Sequence, residues 1–147
     1  MIVKSSIHQR LAIDENGSKH LIGLGNGLFT MIQITKNQVI CDFIGEFISV
    51  EIANQRVLDG KGGYQLAGAF NKIFDSYNFK DQCKASMANC PHKSINMNTG
   101  NVAVKNAKLL YDRNRYRFKL VCIKDIYPNE EIMYDYSNSY KYPDKYV

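Results

Sequence analysis

The chain has 147 residues, a length that suits one domain. Hydrophobic residues make up 45% of it, too many for a disordered chain, and no apolar stretch approaches the roughly 20 residues of a membrane-spanning helix. The net charge of +5 is compatible with a nearby nucleic acid, and the first residues lack the basic start and long apolar run of a secretory signal, so we expect none.

The first part of the chain favours short strands. Residues 2–13 alternate between apolar and polar side chains, which is the period of a half-buried strand. Residues 35–38 predict a turn, because Asn37 tolerates a left-handed backbone. Residues 39–48 are rich in β-branched and aromatic side chains and predict another strand.

One helix is predicted after these strands. Ser49 has a suitable N-cap side chain, and Glu51 follows in the first turn, where a carboxylate suits the helix dipole. Apolar residues recur at helical spacing as far as Leu58, and the glycine-rich residues 59–63 end the helix. Farther on, we expect short strands at residues 64–66 and 72–79 and a helical turn at residues 84–89.

The remaining elements are again strands, at residues 102–104, 116–123 and 131–136. Pro128 and Asn129 predict a turn before the last strand, with proline at the second position and asparagine at the third. Many short strands with a single modest helix predict a mostly β fold, unlike a helix bundle or a doubly wound sheet.

A glycine-rich segment, Gly-Leu-Gly-Asn-Gly-Leu-Phe, spans residues 23–29. Alone it is weak evidence, since a dinucleotide-binding loop needs a helix that opens at its last glycine and an acidic residue about 20 positions later. The residues after Gly27 are strand-like instead, which argues against a Rossmann fold. Glycines without a Cβ atom still allow a ligand to lie flat on the backbone.

Three further segments follow the glycine-rich one. They are Ile-Thr-Lys-Asn-Gln-Val-Ile at residues 34–40, Phe-Ile-Gly-Glu-Phe-Ile at residues 43–48 and Glu-Glu-Ile-Met-Tyr-Asp-Tyr at residues 130–136. In this order and spacing, the four segments resemble the SET domain family of protein lysine methyltransferases, over about residues 2–140. The glycine-rich segment looks like that family's cofactor loop, and the last segment looks like its C-terminal catalytic strand.

The chain departs from the family at its third signature. The family usually has Asn-His-Ser-Cys, whereas residues 89–92 are Asn-Cys-Pro-His. Ser86 stands where an arginine is common, three residues before Asn89. The Asn-Cys pair is similar to the PR branch of the family, whose members include active enzymes and weak or inactive ones.

The resemblance implies several small curved sheets with few short helices, in which the Asn89 segment and residues 134–136 are threaded together as a C-terminal pseudoknot. We expect a single SET domain over residues 1–147. The cysteine-rich zinc cluster that follows many SET domains has no counterpart in this sequence. Closure of the pocket would therefore fall to residues 137–147, through Tyr140, Tyr142 and Tyr146.

Methyl transfer to lysine requires a neutral amine, and a free lysine titrates near 10.4. A narrow apolar channel beside a sulfonium lowers that pKa, and phenols suit its walls because each offers an apolar ring and one oriented hydrogen bond. The resemblance implies that Tyr136 is the catalytic tyrosine. It also implies that Tyr134, on the same strand face, holds a water that limits the product mainly to monomethyl-lysine. Tyr64 is a third candidate for the channel.

The same resemblance implies S-adenosylmethionine as the cofactor and S-adenosylhomocysteine as its product. We interpret Glu46 and Asp135 as structural hydrogen-bonding partners, and Glu130 and Glu131 as solvated. The candidate cofactor-binding residues are Leu24, Gly25, Asn26, Gly27, Asn89, Cys90 and Tyr136.

The four cysteines are far apart except for Cys83 and Cys90, and no Cys-x-x-Cys pair occurs. Cys83, Cys90 and His92 could supply three zinc ligands, but the close paired spacing of zinc sites is missing. We therefore expect free, reduced thiols and no metal.

A basic segment, Arg-Asn-Arg-Tyr-Arg-Phe-Lys-Leu, spans residues 113–120. One interpretation is a ridge that contacts the phosphates of nucleosomal DNA, and the other, which we favour, is a solvated strand face over a core. As a strand, the segment would place Arg113, Arg115, Arg117 and Lys119 on one face and Tyr116, Phe118 and Leu120 on the other.

The leading hypothesis is a nuclear protein-lysine methyltransferase with a histone tail as its substrate, the location following from that substrate class. One alternative is a SET-like protein-interaction module without activity, and another is a basic nucleic-acid-binding domain. Both a monomer and a homodimer that completes the pocket remain open.

Overall fold

A computed structural model describes residues 2–7, 10–13, 16–22, 25–67, 72–91, 94–96 and 100–136. Within these ranges the chain forms one α-helix, α1 (Val50–Leu58), and twelve short strands. No helix in them is both long and apolar enough to span a membrane. In chain order, β1 to β12 are Ile2–Ile7, Arg10–Ile13, Lys19–Ile22, Gly25–Thr30, Val39–Asp42, Glu46–Ser49, Gln65–Ala67, Lys72–Asp75, Ser94–Asn96, Ala107–Asp112, Arg117–Cys122 and Glu131–Ile132.

The strands form four sheets of three strands, and every strand pairing in them is antiparallel. The strand orders are β1-β4-β12, β3-β2-β9, β10-β11-β5 and β6-β8-β7. In the first sheet β4 lies between the N-terminal β1 and the C-terminal β12, with Leu28 opposite Ile132. The predicted mostly β fold of several small sheets is confirmed.

The single strand predicted over residues 39–48 is wrong, because the chain forms β5 and β6 in two different sheets. The break includes Gly45. A Cβ atom there would lie 2.6 Å from the carbonyl oxygen of Asp75 and 2.8 Å from the ring of Phe74, so the close approach of β8 requires glycine.

Several other predicted strands are shorter than expected, and residues 102–104, predicted as a strand, form only an isolated bridge from Val102 to Ile95. Residues 2–13 divide between β1 and β2, which belong to different sheets. Residues 72–79 end as a strand at Asp75 and continue as a 3₁₀ turn, Tyr77–Phe79. The last strand stops at Ile132, because Met133 leaves the sheet to pair with a different segment.

The predicted helix and both predicted turns are confirmed. The Ser49 hydroxyl accepts a hydrogen bond from the backbone N–H of Ile52 at 3.2 Å, as an N-cap does. Beyond the helix, Gly60 takes a left-handed backbone with a φ of 77°. Asn37 and Asn129 are also left-handed, with φ angles of 75° and 70°.

Residues 113–120, considered as a single strand with one basic face, form part of a hairpin of β10 and β11. Strand β10 was not predicted, and residues 113–116 form the turn rather than part of a strand. The Asp112 carboxylate accepts hydrogen bonds from the backbone N–H groups of Asn114 and Arg115, at 3.0 and 3.3 Å, and so stabilises the turn. Arg113 and Arg115 therefore lie in the turn, and the ridge of four cations on one strand face is wrong.

The buried and exposed side chains of this hairpin differ from those that were predicted. Phe118 and Leu120 are buried as expected, whereas Tyr116 is 65% exposed because it lies in the turn with a φ of 53°. Lys119 forms an ion pair at 3.7 Å with Asp112, its diagonal neighbour across the hairpin. The basic surface at this end of the molecule therefore comes from Arg113, Arg115 and Arg117.

The segment around Asn89 crosses the C-terminal segment as a parallel neighbour. Asn89 pairs with Met133, and the backbone N–H of Tyr134 donates to the carbonyl oxygen of Asn89 at 3.1 Å. This is the contact that the predicted threading requires. Fully buried apolar side chains from distant parts of the chain pack in the same core, among them Leu28, Leu120, Ile126 and Ile132.

Candidate active site

Three of the predicted site residues line a single cavity of about 210 Å³. Tyr64 comes from the 3₁₀ turn Gly62–Tyr64 before β7, whereas Tyr134 and Tyr136 come from the segment that follows β12. The structure thus brings together tyrosines that lie 70 positions apart in the chain. We call this space the tyrosine cavity; its wall also includes Phe43, Gln65, Leu66, Ser76, Ser86 and Leu109.

Tyr134 is held by edge-to-face contacts with two aromatic rings. Its ring centroid lies 6.2 Å from that of Phe43 and 5.0 Å from that of Tyr136, with interplanar angles of 77° and 64°. Only 6% of Tyr134 is exposed. Such pairs favour one ring orientation, so the wall of the cavity is built from rings that support one another.

Tyr136 is fixed at both ends by the Asn89 segment. Its hydroxyl donates a hydrogen bond of 2.6 Å to the carbonyl oxygen of Ala88, and its backbone N–H donates to the Cys90 sulfur at 3.4 Å. The hydroxyl proton is therefore directed to a carbonyl, while the phenol oxygen still has the capacity to accept a hydrogen bond. The crossing of the two segments positions this side chain.

Glu131 is buried, so the expectation that it is solvated is wrong. The side-chain amide of Asn89 donates to the Glu131 carboxylate at 3.1 Å, and only 8% of Glu131 is exposed. A buried carboxylate needs such a donor, and the Asn89 segment, which pairs with the neighbouring Met133, supplies it. Glu130 is exposed, as predicted.

Glu46 and Asp135 form ion pairs, in keeping with the structural roles predicted for them. Glu46 accepts hydrogen bonds from Arg56 at 2.9 Å and from the side chain of Asn78 at 3.0 Å. Asp135 borders the tyrosine cavity and pairs with Lys105 at 3.0 Å, and both side chains are more than half exposed. Such an exposed pair contributes little to stability.

The lining of the tyrosine cavity suits a cationic guest. Its described lining consists of phenols, hydroxyls, an amide, apolar groups and the carboxylate of Asp135, with no lysine, arginine or histidine among them. A sulfonium and a neutral amine are both accommodated by such an oxygen-rich wall, in which no described side chain is cationic. The donor set therefore fits the methyl-donor end of S-adenosylmethionine and a lysine side chain.

The predicted glycine contacts lie on β4, at Gly25, Asn26 and Gly27. Because β4 and β12 are antiparallel, the glycine end of β4 lies at the same end of the sheet as the residues that leave β12 for the tyrosine cavity. Leu24 lies outside the described residues, as do His92 and the three tyrosines of residues 137–147.

Several cavity residues have no role predicted from the sequence, among them Phe43 and Ser86. Phe43 opens the Phe-Ile-Gly-Glu segment, so its place in a family signature was the available signal. Ser86 was noted only as a departure from the family, although its position three residues before Asn89 placed it near the site. Its hydroxyl donates to the carbonyl oxygen of Cys83 at 2.7 Å.

The thiols of Cys83 and Cys90 have different hydrogen-bonding partners. The Cys83 sulfur accepts a hydrogen bond from the backbone N–H of Ile44 at 3.2 Å, whereas Cys90 contacts Tyr136.

Burial, with smaller contributions from Cys83 and Asp42, raises the pKa of the Cys41 thiol to about 12. Burial also raises the pKa of the Cys122 thiol, which donates to the carbonyl oxygen of Lys124. Four cysteines are free thiols in the structure.

Comparisons with known proteins agree with this architecture. The chain is 28% identical over 116 residues to a histone-lysine N-methyltransferase, H3 lysine-4 specific, of Cryptococcus neoformans var. neoformans serotype D (strain B-3501A). That match covers 76% of this chain but only 7% of the relative, so the chain spans a small part of the length of that protein.

Two solved structures share the fold at 20% identity. One is an active polycomb repressive complex 2 in the basal state, with a TM-score of 0.62 over 94% of this chain and 15% of that one. The other is the polycomb repressive complex 2 of Chaetomium thermophilum, with a TM-score of 0.63 over 99% of this chain and 16% of that one. The family model for the SET domain matches residues 25–137, most of the sequence. The chain therefore belongs to the SET domain family.

Proposed function

We propose that the chain is a protein-lysine N-methyltransferase that uses S-adenosylmethionine. The observation that carries the proposal is the tyrosine cavity, in which Tyr64, Tyr134 and Tyr136 converge and which no cationic side chain lines among the described residues. Such a wall favours the neutral form of an entering lysine, because burial penalises the ammonium and the Asp135 carboxylate at the border is exposed and paired with Lys105. Membership of the SET domain family supports the same chemistry.

In this proposal, the residues of the chain position the lysine amine and favour its neutral form through their environment. None of them acts as a strong base. Tyr136, held by Ala88, accepts one hydrogen bond from the lysine amine and aims its lone pair. Tyr64 and the ring of Phe43 shield the amine from bulk water. S-adenosylmethionine supplies the methyl group from its sulfonium when it is bound.

The cofactor would be held by the backbone of Gly25, Asn26 and Gly27 on one side and by Asn89, Cys90 and Tyr136 on the other, with Leu24 as a further contact. Asn89 already uses its amide to hold Glu131. In our proposal this bond fixes the side chain, so that its remaining polar capacity is oriented before the cofactor arrives.

Monomethyl-lysine is the proposed main product. Tyr134 is packed between Phe43 and Tyr136, so its ring has little room to withdraw from the amine. A hydroxyl at this position retains a water in the space that a second methyl group would need. The consequence is that further methylation is disfavoured by crowding.

The proposed substrate is a histone tail, and the proposed compartment is the nucleus. The similarity to an H3 lysine-4-specific enzyme and the carboxylate of Asp135 at the border of the cavity both support a basic substrate. Contact with nucleosomal DNA through Arg113, Arg115, Arg117 and Lys119 stays a prediction. Lys119 is the weakest candidate of the four, because it already pairs with Asp112. The choice between a monomer and a homodimer also stays a prediction.

The test is incubation of the chain with radiolabelled S-adenosylmethionine and each core histone in turn, followed by mass spectrometry of the labelled protein. We expect label on one histone, mainly as monomethyl-lysine. Label on no protein of the panel would contradict the histone proposal, and abundant trimethyl-lysine would contradict the role given to Tyr134.

A second candidate is a SET-like interaction module without activity, which Ser86 and the Asn-Cys-Pro sequence favour because they depart from the family signature. Calorimetric titration with S-adenosylmethionine separates the two. Saturable heat supports the enzyme, whereas the absence of heat together with the absence of methyl transfer supports the module.

A further inference from the structure

A second and larger cleft of about 700 Å³ lies next to the tyrosine cavity and shares Phe43 with it. Phe47 and Phe74 line the cleft with their rings edge to face, at a centroid distance of 5.2 Å. Ile44, which is 43% exposed, adds an accessible aliphatic side chain. We call this feature the aromatic cleft, and its floor is suited to a large apolar side chain.

The rim of the aromatic cleft is positively charged. Lys84, Arg115 and Arg117 line it and are exposed, whereas Asp42 is the one acidic residue among its described lining residues. In the described part of the chain, neither Arg115 nor Arg117 has a carboxylate within ion-pair distance. The nearby Asp112 carboxylate is used by the turn and by Lys119.

We propose that the aromatic cleft docks an acidic segment of a partner protein that carries one aromatic anchor residue. The anchor would lie against Ile44 and the accessible part of the Phe47 ring, which rests on the buried Phe74, and its acidic neighbours would pair with Arg115 and Arg117. This arrangement of an apolar centre and a charged rim is typical of protein interfaces, in which a buried anchor supplies most of the affinity. The proposal does not depend on the methyltransferase assignment.

Two other occupants fit the aromatic cleft less well. A basic histone tail would meet three cations of its own sign. Duplex DNA would satisfy the cations through its phosphates but would leave the phenylalanine floor without an apolar partner. An acidic peptide with an aromatic residue matches both features at once.

The experiment is fluorescence anisotropy of the full chain with a fluorescein-labelled peptide, Glu-Asp-Glu-Phe-Asp-Glu-Asp, beside a matched peptide with alanine in place of phenylalanine. We expect saturable binding of the first peptide and binding at least about tenfold weaker for the second. The double variant Arg115→Glu, Arg117→Glu should also weaken the first peptide by at least about tenfold. Both arginines are exposed, so an unchanged melting temperature checks that this variant is folded.

The matched control is Arg113→Glu, because Arg113 is exposed in the same turn but does not line the aromatic cleft. We expect it to change peptide affinity by less than about twofold. The proposal is overturned if neither peptide binds, if both bind equally, or if Arg113→Glu weakens binding as much as the double variant does. It is also overturned if a labelled DNA duplex binds more tightly than the peptide and loses affinity both in the double variant and in Arg113→Glu.

Discussion

Two side chains of the C-terminal segment obtain their hydrogen-bonding partners from more than 40 positions away. Tyr136 donates to the carbonyl oxygen of Ala88, and Glu131 accepts from Asn89, so one short segment positions both. The role proposed for Tyr136 comes from the family motif alone, and no pattern in the sequence indicates that Glu131 is buried. The reason is that burial here depends on a crossing segment, which alternation along a strand does not reveal.

The first prediction at this scale concerns the degree of methylation. Replacing Tyr134 with phenylalanine keeps the ring contacts with Phe43 and Tyr136 but removes the hydroxyl that retains a water. We expect the main product to change from monomethyl-lysine to di- and trimethyl-lysine, measured by mass spectrometry of a substrate peptide. An unchanged product distribution would contradict the proposed role of this hydroxyl.

The second prediction concerns pH. The pKa of the Cys41 thiol is raised from 9.0 to about 12, so its contribution to stability is complete below pH 9. Between pH 9 and 12 the unfolded chain loses this proton while the folded chain keeps it, so the free energy of unfolding falls as the pH rises.

Urea unfolding at pH 8 and at pH 10.5 measures this loss. The wild-type chain should lose more stability between the two values than Cys41→Ala, in which the other titrating groups are the same. Equal losses in the two proteins would show that the thiol is not shielded in the folded state.

Among the elements, those with local signals were predicted and those that depend on tertiary contacts were not. The helix cap at Ser49 and the left-handed Asn37 and Asn129 arise from interactions within a few residues, so the sequence predicts them. The break at Gly45 follows from the approach of β8, which is distant in sequence. The turn after Asp112 contains neither glycine nor proline, which explains why the hairpin was missed.

The prediction for elements concerns the attachment of α1 to the β6-β8-β7 sheet. Arg56 of α1 bridges Asp75 of β8 and Glu46 of β6, both at 2.9 Å, and the side chain of Asp75 is fully buried. These carboxylates raise the pKa of the Arg56 guanidinium. Replacing Arg56 with alanine leaves a buried carboxylate without its cation, which should cost about 2–4 kcal/mol of unfolding free energy.

Chemical denaturation measures this change, and Arg113→Ala is its control. Arg113 is exposed and outside this ion-pair network, so its loss should cost less than about 0.5 kcal/mol. Equal effects of the two substitutions would mean that the Arg56 network does not stabilise the fold.

On the scale of the whole molecule, the site exists only because distant segments converge. Tyr64 precedes β7, Ser86 lies in a 3₁₀ turn, and Tyr136 follows β12, yet all three line the tyrosine cavity. Hydrophobic periodicity and secondary-structure propensity could not predict this convergence. The resemblance to the family motif is what predicts it. The aromatic cleft takes only part of its lining from the Phe-Ile-Gly-Glu-Phe-Ile segment, so only the folded structure brings Phe47, Phe74 and the hairpin arginines together.

The decisive experiment compares the initial rates of methyl transfer from radiolabelled S-adenosylmethionine. The three proteins compared are the wild type, Tyr136→Phe and Tyr127→Phe. Tyr127 is 50% exposed in a turn and lines neither cavity, so its variant controls for the loss of a phenol hydroxyl. We predict a loss of about 100-fold or more for Tyr136→Phe and a change of less than about twofold for Tyr127→Phe, with both variants folded. Methyl transfer by Tyr136→Phe at the wild-type rate would contradict the account.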